Sequence, residues 1–390
     1  MSEGPLHALF SRTILQWFCA NGRLLPWRET TDPYAIWLSE VILQQTRIAQ
    51  GMAYWQRFMQ TYPTVQLLAA ADEDDVLRLW QGLGYYSRAR NLHAAARQIV
   101  DMGAFPRTLE TIRTLKGVGD YTAAAIGSFA FDIPAAVLDG NVFRVLARYF
   151  GIDTPVNTTP GKKLFAALAQ SLLPQNTSQR FRPDGFSLSL SAVSAYNQGI
   201  MDFGALVCTP QTPRCEACPL AETCLALREG RVDCLPVKNR TQRVKTRYLT
   251  YIYIRWKKKE SSVSFSSPRT SVVPMVAMRR RGGGDIWHGL WEPYNASLHE
   301  DSAATAEAEI IDMLQLASSD TLRLLARGVK HVLTHRILLA DFYLLETEER
   351  PLLPDDYVWI KESDLAHYGV PRLIEKLCLL AAGKGDSEAF

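Results

Sequence analysis

Apolar residues recur at helical spacing through the first part of the chain, up to about residue 228. In the stretch TDPYAIWLSEVILQQTRIAQGMAYWQRFMQTY (31–62), Asp32 can cap a helix N-terminus, and Pro33 suits the first helical position. The alternation typical of strands is hard to find in this part. The pattern therefore predicts an all-helical domain over residues 1–228.

The pattern changes across a polar and strongly basic segment that contains a proline, REGRVDCLPVKNRTQRVKTR (228–247), which predicts a linker over 229–246. Beyond it, runs of aromatic and β-branched residues predict strands, and one stretch between them has helical spacing. This order predicts a second, α+β domain over 247–385. The strand-like runs are YLTYIYIRW (248–256), SVVPMVAM (271–278) and RILLADFYLLE (336–346), and the helical stretch is ATAEAEIIDMLQLA (304–317).

Composition limits the possible functions only broadly. The chain has 390 residues, 47% hydrophobic and 21% charged, with a formal net charge of +3. These values fit two or three globular domains and allow, without requiring, a polyanionic partner. No apolar run approaches the roughly 18–20 residues of a membrane span, and MSEGPLHALF lacks the parts of a secretory signal. We therefore expect a protein of the cytoplasm, associated with the nucleoid, and no membrane partner.

Four of the seven cysteines lie close together, at a spacing of C-x6-C-x2-C-x5-C. Four thiolates this near in sequence can enclose one metal ion or one cluster, and their density argues against unconnected structural cysteines. Zinc sites usually use paired C-x2–4-C knuckles, of which only one is present, while four cysteines also bind iron–sulfur clusters. The spacing predicts a metal site and leaves both metals open. Its ligands are Cys208, Cys215, Cys218 and Cys224.

The stretch LKGVGDYTAAAIG (115–127) places two glycines just before a run of small residues. Gly117 and Gly119 permit positive φ angles and a close approach of the backbone to a partner. The helix that follows offers free N–H groups and a positive dipole end to an anion. A G-x-G turn alone more often only ends a helix, so this pattern gives a candidate phosphate-binding turn.

Two carboxylates have neighbours that could change their acidity. Glu40 is surrounded at helical spacing mostly by apolar residues, which would desolvate it and raise its pKa, although the pattern alone favours a glutamate whose head reaches water. Asp139 follows an apolar run and precedes a helix, where it can be an N-cap or a second, ionised carboxylate. Paired carboxylates with separated pKa values are typical of glycosidic bond cleavage.

Six segments in order carry a resemblance to a known family. They are LPWR (25–28), SEVILQQT (39–46), GLGYYSRARNL (82–92), LKGVGDYTAAAI (115–126), VLDGNVFRVLAR (137–148) and YNQGIMDFGALVC (196–208), followed by the cysteine loop. Over nearly all of residues 10–228 the chain resembles the helix-hairpin-helix DNA glycosylases, and among them the adenine DNA glycosylases of the MutY type. The resemblance implies an all-α domain with DNA in a cleft, a [4Fe–4S] cluster on the four cysteines, and a Gly117–Gly119 turn that grips the DNA backbone.

The resemblance also implies the reaction, which is removal of adenine mispaired with 8-oxoguanine or guanine in duplex DNA, in base excision repair. Glu40 matches the acid that protonates the flipped adenine, and Asp139 matches the carboxylate that stabilises the oxocarbenium-like sugar. Asn141 and Tyr121 match residues that hydrogen-bond around that centre. The adenine pocket is matched by Arg23, Leu25, Trp27, Arg28, Gln198 and Met201, and the side chains inserted at the lesion by Gln45 and Tyr85.

Tyr121 distinguishes two kinds of glycosylase. Some related enzymes have a lysine at this position, which attacks the sugar, forms a Schiff base and leads to strand cleavage. Because this chain has a tyrosine there, we expect a monofunctional glycosylase that leaves an abasic site.

Residues 247 to about 383 resemble, more weakly, the Nudix-like domain with which these enzymes read 8-oxoguanine. DIWHGLWEPY (285–294) is similar to its G-L-W-x-x-P signature, and VKHVLTHRILLADFYLL (329–345) to the strands and loop that contact the base. The loop tip matches at Thr334 and His335, while Leu333 replaces an aromatic residue. The R-E-x-x-E-E run of a Nudix hydrolase is missing, so the resemblance implies a binding domain only.

Three alternative functions are compatible with parts of the sequence. An endonuclease III-like enzyme is opposed by Tyr121 and the second domain, and a pyrophosphohydrolase by the missing carboxylate run. An iron–sulfur electron carrier would titrate reversibly without DNA and would not need Glu40. We expect a monomer that could dock repair proteins through the linker. The segment 173–191 reads as a polar insertion between helices, with no evident role.

Overall fold

In the computed structural model, the described residues are 3–176, 178–239, 244–262, 269–316, 320–333 and 335–384. They form two compact units, here called unit one and unit two. Unit one comprises residues 1–70 and 91–240, and unit two comprises residues 71–90 and 241–390. By its contacts, the helical segment 71–90 thus groups with the C-terminal residues. Across the described ranges, the helices are too short or too polar to cross a membrane.

The chain up to residue 228 is helical, as its periodicity predicts. A short antiparallel pair of strands, β1 (Arg180–Phe181) and β2 (Leu190–Ser191), interrupts the helices within the polar insertion. The helices are α1 (Glu3–Asn21), α2 (Pro33–Leu43), α3 (Ile48–Thr61), α4 (Val65–Ala70), α5 (Glu73–Trp80), α6 (Ser87–Asp101), α7 (Leu109–Arg113), α8 (Asp120–Phe131), α9 (Gly140–Tyr149), α10 (Thr159–Ser171), α11 (Ala192–Leu206) and α12 (Leu225–Arg228).

Side-chain caps fix where the helices around the site begin. Asp32 accepts a hydrogen bond from the Tyr34 N–H and Pro33 occupies the first position of α2, as predicted. Asp139 caps α9 and Ser191 caps α11 in the same manner. These caps hold the N-termini of three helices that carry candidate site residues.

The core of unit one forms where α1, α9 and α11 pack together, and α2 packs on α8 nearby. Nine consecutive residues of α2, from Tyr34 to Ile42, are buried, so this helix has almost no solvent face. A helix that is apolar around most of its circumference must lie inside the domain. This placement carries Glu40 into the interior.

Unit two is built on a six-stranded sheet of order β6–β7–β3–β5–β4–β8. β3 runs parallel to β7, and the other neighbours are antiparallel. The strands are β3 (Lys245–Ser262), β4 (Arg269–Arg280), β5 (Trp291–Asn295), β6 (Thr321–Val332), β7 (Arg336–Thr347) and β8 (Tyr357–Lys361), and the helices are α13 (Glu307–Leu314) and α14 (Arg372–Ala381).

Alternation along the strands divides the sheet between two small cores. Tyr251 and Tyr253 of β3 pack on the face covered by α14, whereas Ile252 and Ile254 pack on the face covered by α13. A sheet with a helix on each face is the predicted α+β domain. The strands foreseen at 248–256, 271–278 and 336–346 are β3, β4 and β7.

Candidate active site

Glu40 lies buried in α2, with 7% of its side chain exposed, and its carboxylate accepts a hydrogen bond of 2.7 Å from the Tyr121 hydroxyl. Burial raises the pKa of Glu40 to about 7, although the Tyr121 hydrogen bond and the positive charge of Arg28 oppose the increase. The head of Glu40 therefore does not reach water, contrary to what the helical pattern alone favours. A carboxyl group with this pKa is partly protonated at neutral pH and can donate a proton.

Asp139 presents a second carboxylate at the N-terminus of α9. Its Oδ1 accepts hydrogen bonds from the N–H groups of Asn141 (2.9 Å) and Val142 (2.8 Å), and its Oδ2 accepts one from Asn141 Nδ2 (2.8 Å). Burial is the largest influence and leaves the pKa of Asp139 above its ordinary value, although these hydrogen bonds and the charge of Arg144 oppose the increase. Both oxygens act as acceptors at a positive helix end, which favours the charged form.

A chain of hydrogen bonds runs from Asp139 to the cysteine loop. The Asn141 side chain donates a hydrogen bond to Asp139, and its Oδ1 accepts one of 2.8 Å from the guanidinium of Arg144. Arg144 also donates from Nε to the Cys208 carbonyl, at 2.6 Å, and to the Gly204 carbonyl. The position of Asp139 is therefore fixed by residues that also hold the first cysteine.

Arg23 and Arg28, which the resemblance assigns to the base pocket, are both held by the buried carboxylate of Asp202. Arg28 donates to the two oxygens of Asp202 at 2.7 and 2.9 Å, and Arg23 donates from Nε at 2.9 Å and from its backbone N–H at 3.0 Å. Burial alone would raise the pKa of Asp202, but the two guanidinium groups outweigh it and lower the pKa to about 2. Asp202 thereby orients the two arginines.

A cavity of about 60 Å³ lies beside Glu40. Among its walls is Gln198, whose Nε2 donates to Ser194 while its Oε1 is buried without a hydrogen-bond partner among the described residues. A buried acceptor without a partner is costly, so it favours a ligand that carries an N–H donor, such as an amino-purine. The pocket residues predicted from the sequence all line this cavity, namely Arg23, Leu25, Trp27, Arg28, Gln198 and Met201.

The four predicted metal ligands line one small cavity of about 30 Å³. Burial, with the neighbouring thiols, raises the pKa of Cys218 to about 11 and that of Cys224 above its ordinary value. Thiolates brought together in this way need a positively charged partner. Throughout the described ranges, no three Cys, His, Asp or Glu side chains are arranged to ligate a single ion.

The turn before α8 uses its two glycines differently. Gly117 has φ +78°, and a Cβ there would lie 2.7 Å from the Cβ of Asn91, so this position requires glycine. Gly119 has φ −98° and is the N-cap of α8, so the positive φ expected there is not observed. Apart from its two chain neighbours, no atom of the described residues lies within 4 Å of a Cβ placed on Gly119. A methyl group at Gly119 would therefore point into open space at the start of α8.

Two residues predicted to insert into DNA have unusual backbones. Gln45 of unit one has φ +58°, and Tyr85 of unit two has φ +48° with 51% of its side chain exposed. A left-handed backbone costs a non-glycine residue roughly 1–2 kcal/mol, and such strain is concentrated at functional sites. At the tip between β6 and β7, His335 is exposed, and Thr334 lies outside the described residues.

Asp202 and Arg144 are functional candidates that the motif matches leave out. Each is a charged residue inside an apolar helical stretch, in YNQGIMDFGALVC and VLDGNVFRVLAR respectively. A buried charge requires a partner of opposite charge or several hydrogen bonds. That signal was available in the sequence, but it could not identify the partners, which come from other elements.

Comparisons with known proteins agree with this geometry. A family model described as the HhH-GPD superfamily of base excision DNA repair proteins matches residues 38–175. A model of the NUDIX domain matches residues 274–380, and one of the iron–sulfur binding domain of endonuclease III matches residues 208–224. The last match resolves the choice of metal in favour of iron and sulfur.

Similar proteins cover much of the chain. The adenine DNA glycosylase of Mus musculus is 32% identical over 411 residues, which cover 94% of this chain and 77% of the mouse protein. That of Rattus norvegicus is 42% identical over 241 residues, 58% of this chain and only 44% of the rat protein. The solved structure of a thermostable thymine-DNA glycosylase, 29% identical, matches 59% of this chain and 100% of its own with a TM-score of 0.51. This chain belongs to the adenine DNA glycosylase family of base excision DNA repair enzymes.

Proposed function

We propose that the protein hydrolyses the N-glycosidic bond of adenine mispaired with 8-oxoguanine or guanine in duplex DNA and leaves an abasic site. The observation that carries this proposal is the Glu40 carboxyl group, with a pKa raised to about 7, beside a cavity with an unpartnered buried acceptor on Gln198. A base can reach such a buried acid only after it leaves the duplex stack. Gln45 and Tyr85 are the proposed wedges that open the duplex.

Proton transfer from Glu40 starts the reaction in this scheme. The protonated carboxyl donates to a ring nitrogen of adenine, so that the base leaves as a neutral molecule when the bond between C1′ and N9 breaks. Tyr121 donates a hydrogen bond to Glu40 and keeps its carboxyl group in one orientation. General acid catalysis of this kind contributes about 10²–10⁴-fold to a rate.

Asp139 stabilises the positive charge that develops on the sugar. Its carboxylate is held by three hydrogen bonds from Asn141 and Val142, so it needs little reorganisation when the charge appears. Water then adds to C1′ and gives its proton to the Glu40 carboxylate, which restores the acid for the next cycle. The net reaction is therefore hydrolysis of the bond between C1′ and N9.

The same site supports a monofunctional enzyme. The residue beside Glu40 is Tyr121, whose pKa burial raises well above the ordinary value for tyrosine. A neutral phenol cannot form a Schiff base with the sugar, so strand cleavage has no nucleophile at this position.

We further propose that unit two reads the base opposite adenine, through the tip between β6 and β7 that includes Thr334 and His335. The exposure of His335 supports this proposal, because a partner can reach its side chain at the tip. The cysteine loop would hold a [4Fe–4S] cluster on Cys208, Cys215, Cys218 and Cys224. The enzyme would act as a monomer on the chromosome within the cytoplasm.

Single-turnover base release tests the proposed function. A duplex with labelled adenine opposite 8-oxoguanine is compared with duplexes that have adenine opposite guanine and opposite thymine, each with and without hot alkali. We expect strand cleavage for the two mispairs only after alkali, and none for the thymine duplex. Cleavage without alkali would show a lyase, and equal release from all three duplexes would exclude mispair specificity.

A further inference from the structure

Residues 178–191 of the polar insertion have a defined structure next to the base pocket. β1 and β2 pair antiparallel, with Arg180 opposite Ser191 and Phe181 opposite Leu190. The loop between them is closed by Arg182 Nε, which donates to the Phe186 carbonyl at 2.9 Å, and by Phe186 N–H, which donates to the Pro183 carbonyl at 3.0 Å. We call residues 180–191 the pocket hairpin.

The pocket hairpin is attached to both ends of the segment that supplies the pocket arginines. Asp184 N–H donates to the Cys19 carbonyl at 2.7 Å, four residues before Arg23. At the other end, Ser187 donates to Glu29 from its N–H at 2.8 Å and also from its hydroxyl. Glu29 directly follows the 3₁₀ turn Pro26–Arg28, so the hairpin holds the turn that carries two pocket residues.

Apolar contacts reinforce this attachment. Phe186 is buried, and its ring centroid lies 5.8 Å from that of Phe18, whose ring also faces the Arg28 guanidinium at 5.7 Å. Gly185 has φ +81°, and a Cβ there would lie 3.1 Å from Leu24. The glycine therefore lets the hairpin lie directly against the pocket segment.

Leu190 brings the hairpin into the pocket itself. Its side chain is 5% exposed and lines the same cavity as Glu40 and Gln198. Leu190 therefore forms part of the wall that a base entering this cavity would meet. An apolar wall distinguishes ligands by size rather than by hydrogen bonding.

We propose that the pocket hairpin is the size-selective wall of the base pocket. In this proposal Leu190 contacts the flipped purine and limits which substituents it can carry, and Ser187 positions Trp27 and Arg28 through Glu29. The identity of the purine as adenine rests on the proposed function; the selection by size does not.

Substitutions of Leu190 test the wall with a panel of duplexes that contain adenine or an adenine methylated at N6, C2 or C8. Leu190→Ala should raise the release rate of at least one methylated base relative to adenine by about tenfold or more. Leu190→Phe should lower the relative rate of that base, and Leu190→Met, which nearly conserves volume, should leave it unchanged. If all three variants change every rate by a common factor, Leu190 is only structural and the proposal is wrong.

Ser187→Ala tests the positioning role, with Ser189→Ala as its matched control. Both serines are exposed, but the Ser189 side chain has no hydrogen-bond partner among the described residues. We expect Ser187→Ala to slow the chemical step by up to about tenfold, with unchanged duplex affinity and melting temperature. Equal rates of the chemical step in the two variants would show that Ser187 does not position Trp27 and Arg28.

A readout without catalysis separates this inference from the proposed function. In a duplex with 2-aminopurine at the adenine position, fluorescence rises when the base leaves the stack. Leu190→Phe should suppress that rise, while Leu190→Ala should keep it. If the unmutated protein releases no adenine but the emission still depends on residue 190, the proposed function is wrong, whereas the role of Leu190 in limiting the size of the base is supported. If neither the emission nor the rate ratios depend on residue 190, the wall is excluded.

Discussion

The proton on Glu40 determines how the activity depends on pH. Because burial raises its pKa to about 7, the acid is protonated below that pH and loses its proton above it. We expect the single-turnover rate to fall by about tenfold per pH unit above pH 7. The acidic limb should begin above the ordinary range of an aspartate, since burial also raises the pKa of Asp139.

Rapid-quench rates between pH 5 and 9, with duplex binding measured at each pH, test this profile. Glu40→Gln should bind the mispaired duplex but lose about 10²–10⁴-fold in rate, and its alkaline limb should disappear. A rate that keeps rising to pH 9 would exclude Glu40 as the proton donor.

The loss of the Asp202 carboxylate should strongly destabilise unit one. It is fully buried between Arg23 and Arg28, so Asp202→Asn would leave their charges without a counterion. We expect the free energy of unfolding to fall by about 3–5 kcal/mol, measured by chemical denaturation at neutral pH. Since Arg23 and Arg28 lower the pKa of Asp202 to about 2, this stabilisation is present above the unfolded-state pKa and is lost as the pH falls through about 2.

The control is Asp132→Asn, which removes an exposed carboxylate that pairs with Arg180 at 2.9 Å. An exposed ion pair is worth about 0–1 kcal/mol, and asparagine tolerates the left-handed backbone of this position, at φ +56°. Similar losses for the two variants would contradict the structural role of Asp202.

Residue types could be predicted from the sequence more reliably than their surroundings. The motif order picked out Glu40, but the helical pattern favoured a solvated head, because it could not show that α8 covers α2 with Tyr121. Asp202 and Arg144 escaped notice for the same reason, since their partners lie far away in the chain. Contacts distant in sequence decide burial, and burial decides the pKa.

At the scale of elements, the two glycines of the turn before α8 are expected to have different roles. Gly117 is required by the fold, whereas Gly119 is expected to be required for DNA binding. Gly117→Ala would combine a positive φ with a Cβ 2.7 Å from Asn91 Cβ, at a cost of about 1–3 kcal/mol in stability. Gly119→Ala meets no described atom within 4 Å and should leave the melting temperature unchanged.

Duplex affinity then distinguishes the two glycines. If DNA phosphates approach the start of α8, the methyl group of Gly119→Ala should weaken duplex binding without unfolding the turn. Titrations at several salt concentrations would show this loss. Unchanged binding by Gly119→Ala would exclude close contact between DNA and this turn.

Elements with strong periodicity or caps were predictable, and short irregular ones were not. The Asp32–Pro33 start of α2 and the strands β3, β4 and β7 follow directly from local sequence. The pocket hairpin has strands of two residues each, too short for any period to be detected. Its structure depends on contacts with Cys19, Leu24 and Glu29, which no local pattern contains.

At the scale of the whole molecule, unit two is formed by two separate segments of the chain, residues 71–90 and 241–390. Arg280 pairs with Glu73 and Asp74 of α5 at 3.0 and 2.9 Å. Leu77 is buried, and a Cβ at Gly369 would lie 3.5 Å from its own Cβ. Residues 71–90 therefore depend on the C-terminal part of the chain for their burial. The sequence could not show this, because the amphipathic pattern of α5 does not say what covers its apolar face.

This dependence predicts the behaviour of a chain that ends at residue 239. Its α5 should lose the cover of Leu77, worth about 1.5–3 kcal/mol, so the amides of Glu73–Trp80 should exchange hydrogen faster than in the full chain. Amides of α11, whose core lies within unit one, serve as the internal control and should stay protected. Arg280→Ala in the full chain removes the exposed ion pairs with α5 and a hydrogen bond to the Gly289 carbonyl but keeps the cover of Leu77, so it should accelerate exchange of α5 far less. Because Tyr85 belongs to the same segment 71–90 as α5, the truncated chain should also open duplexes more slowly. Equal protection of α5 in the truncated and full chains would instead mean that residues 71–90 hold their structure without unit two.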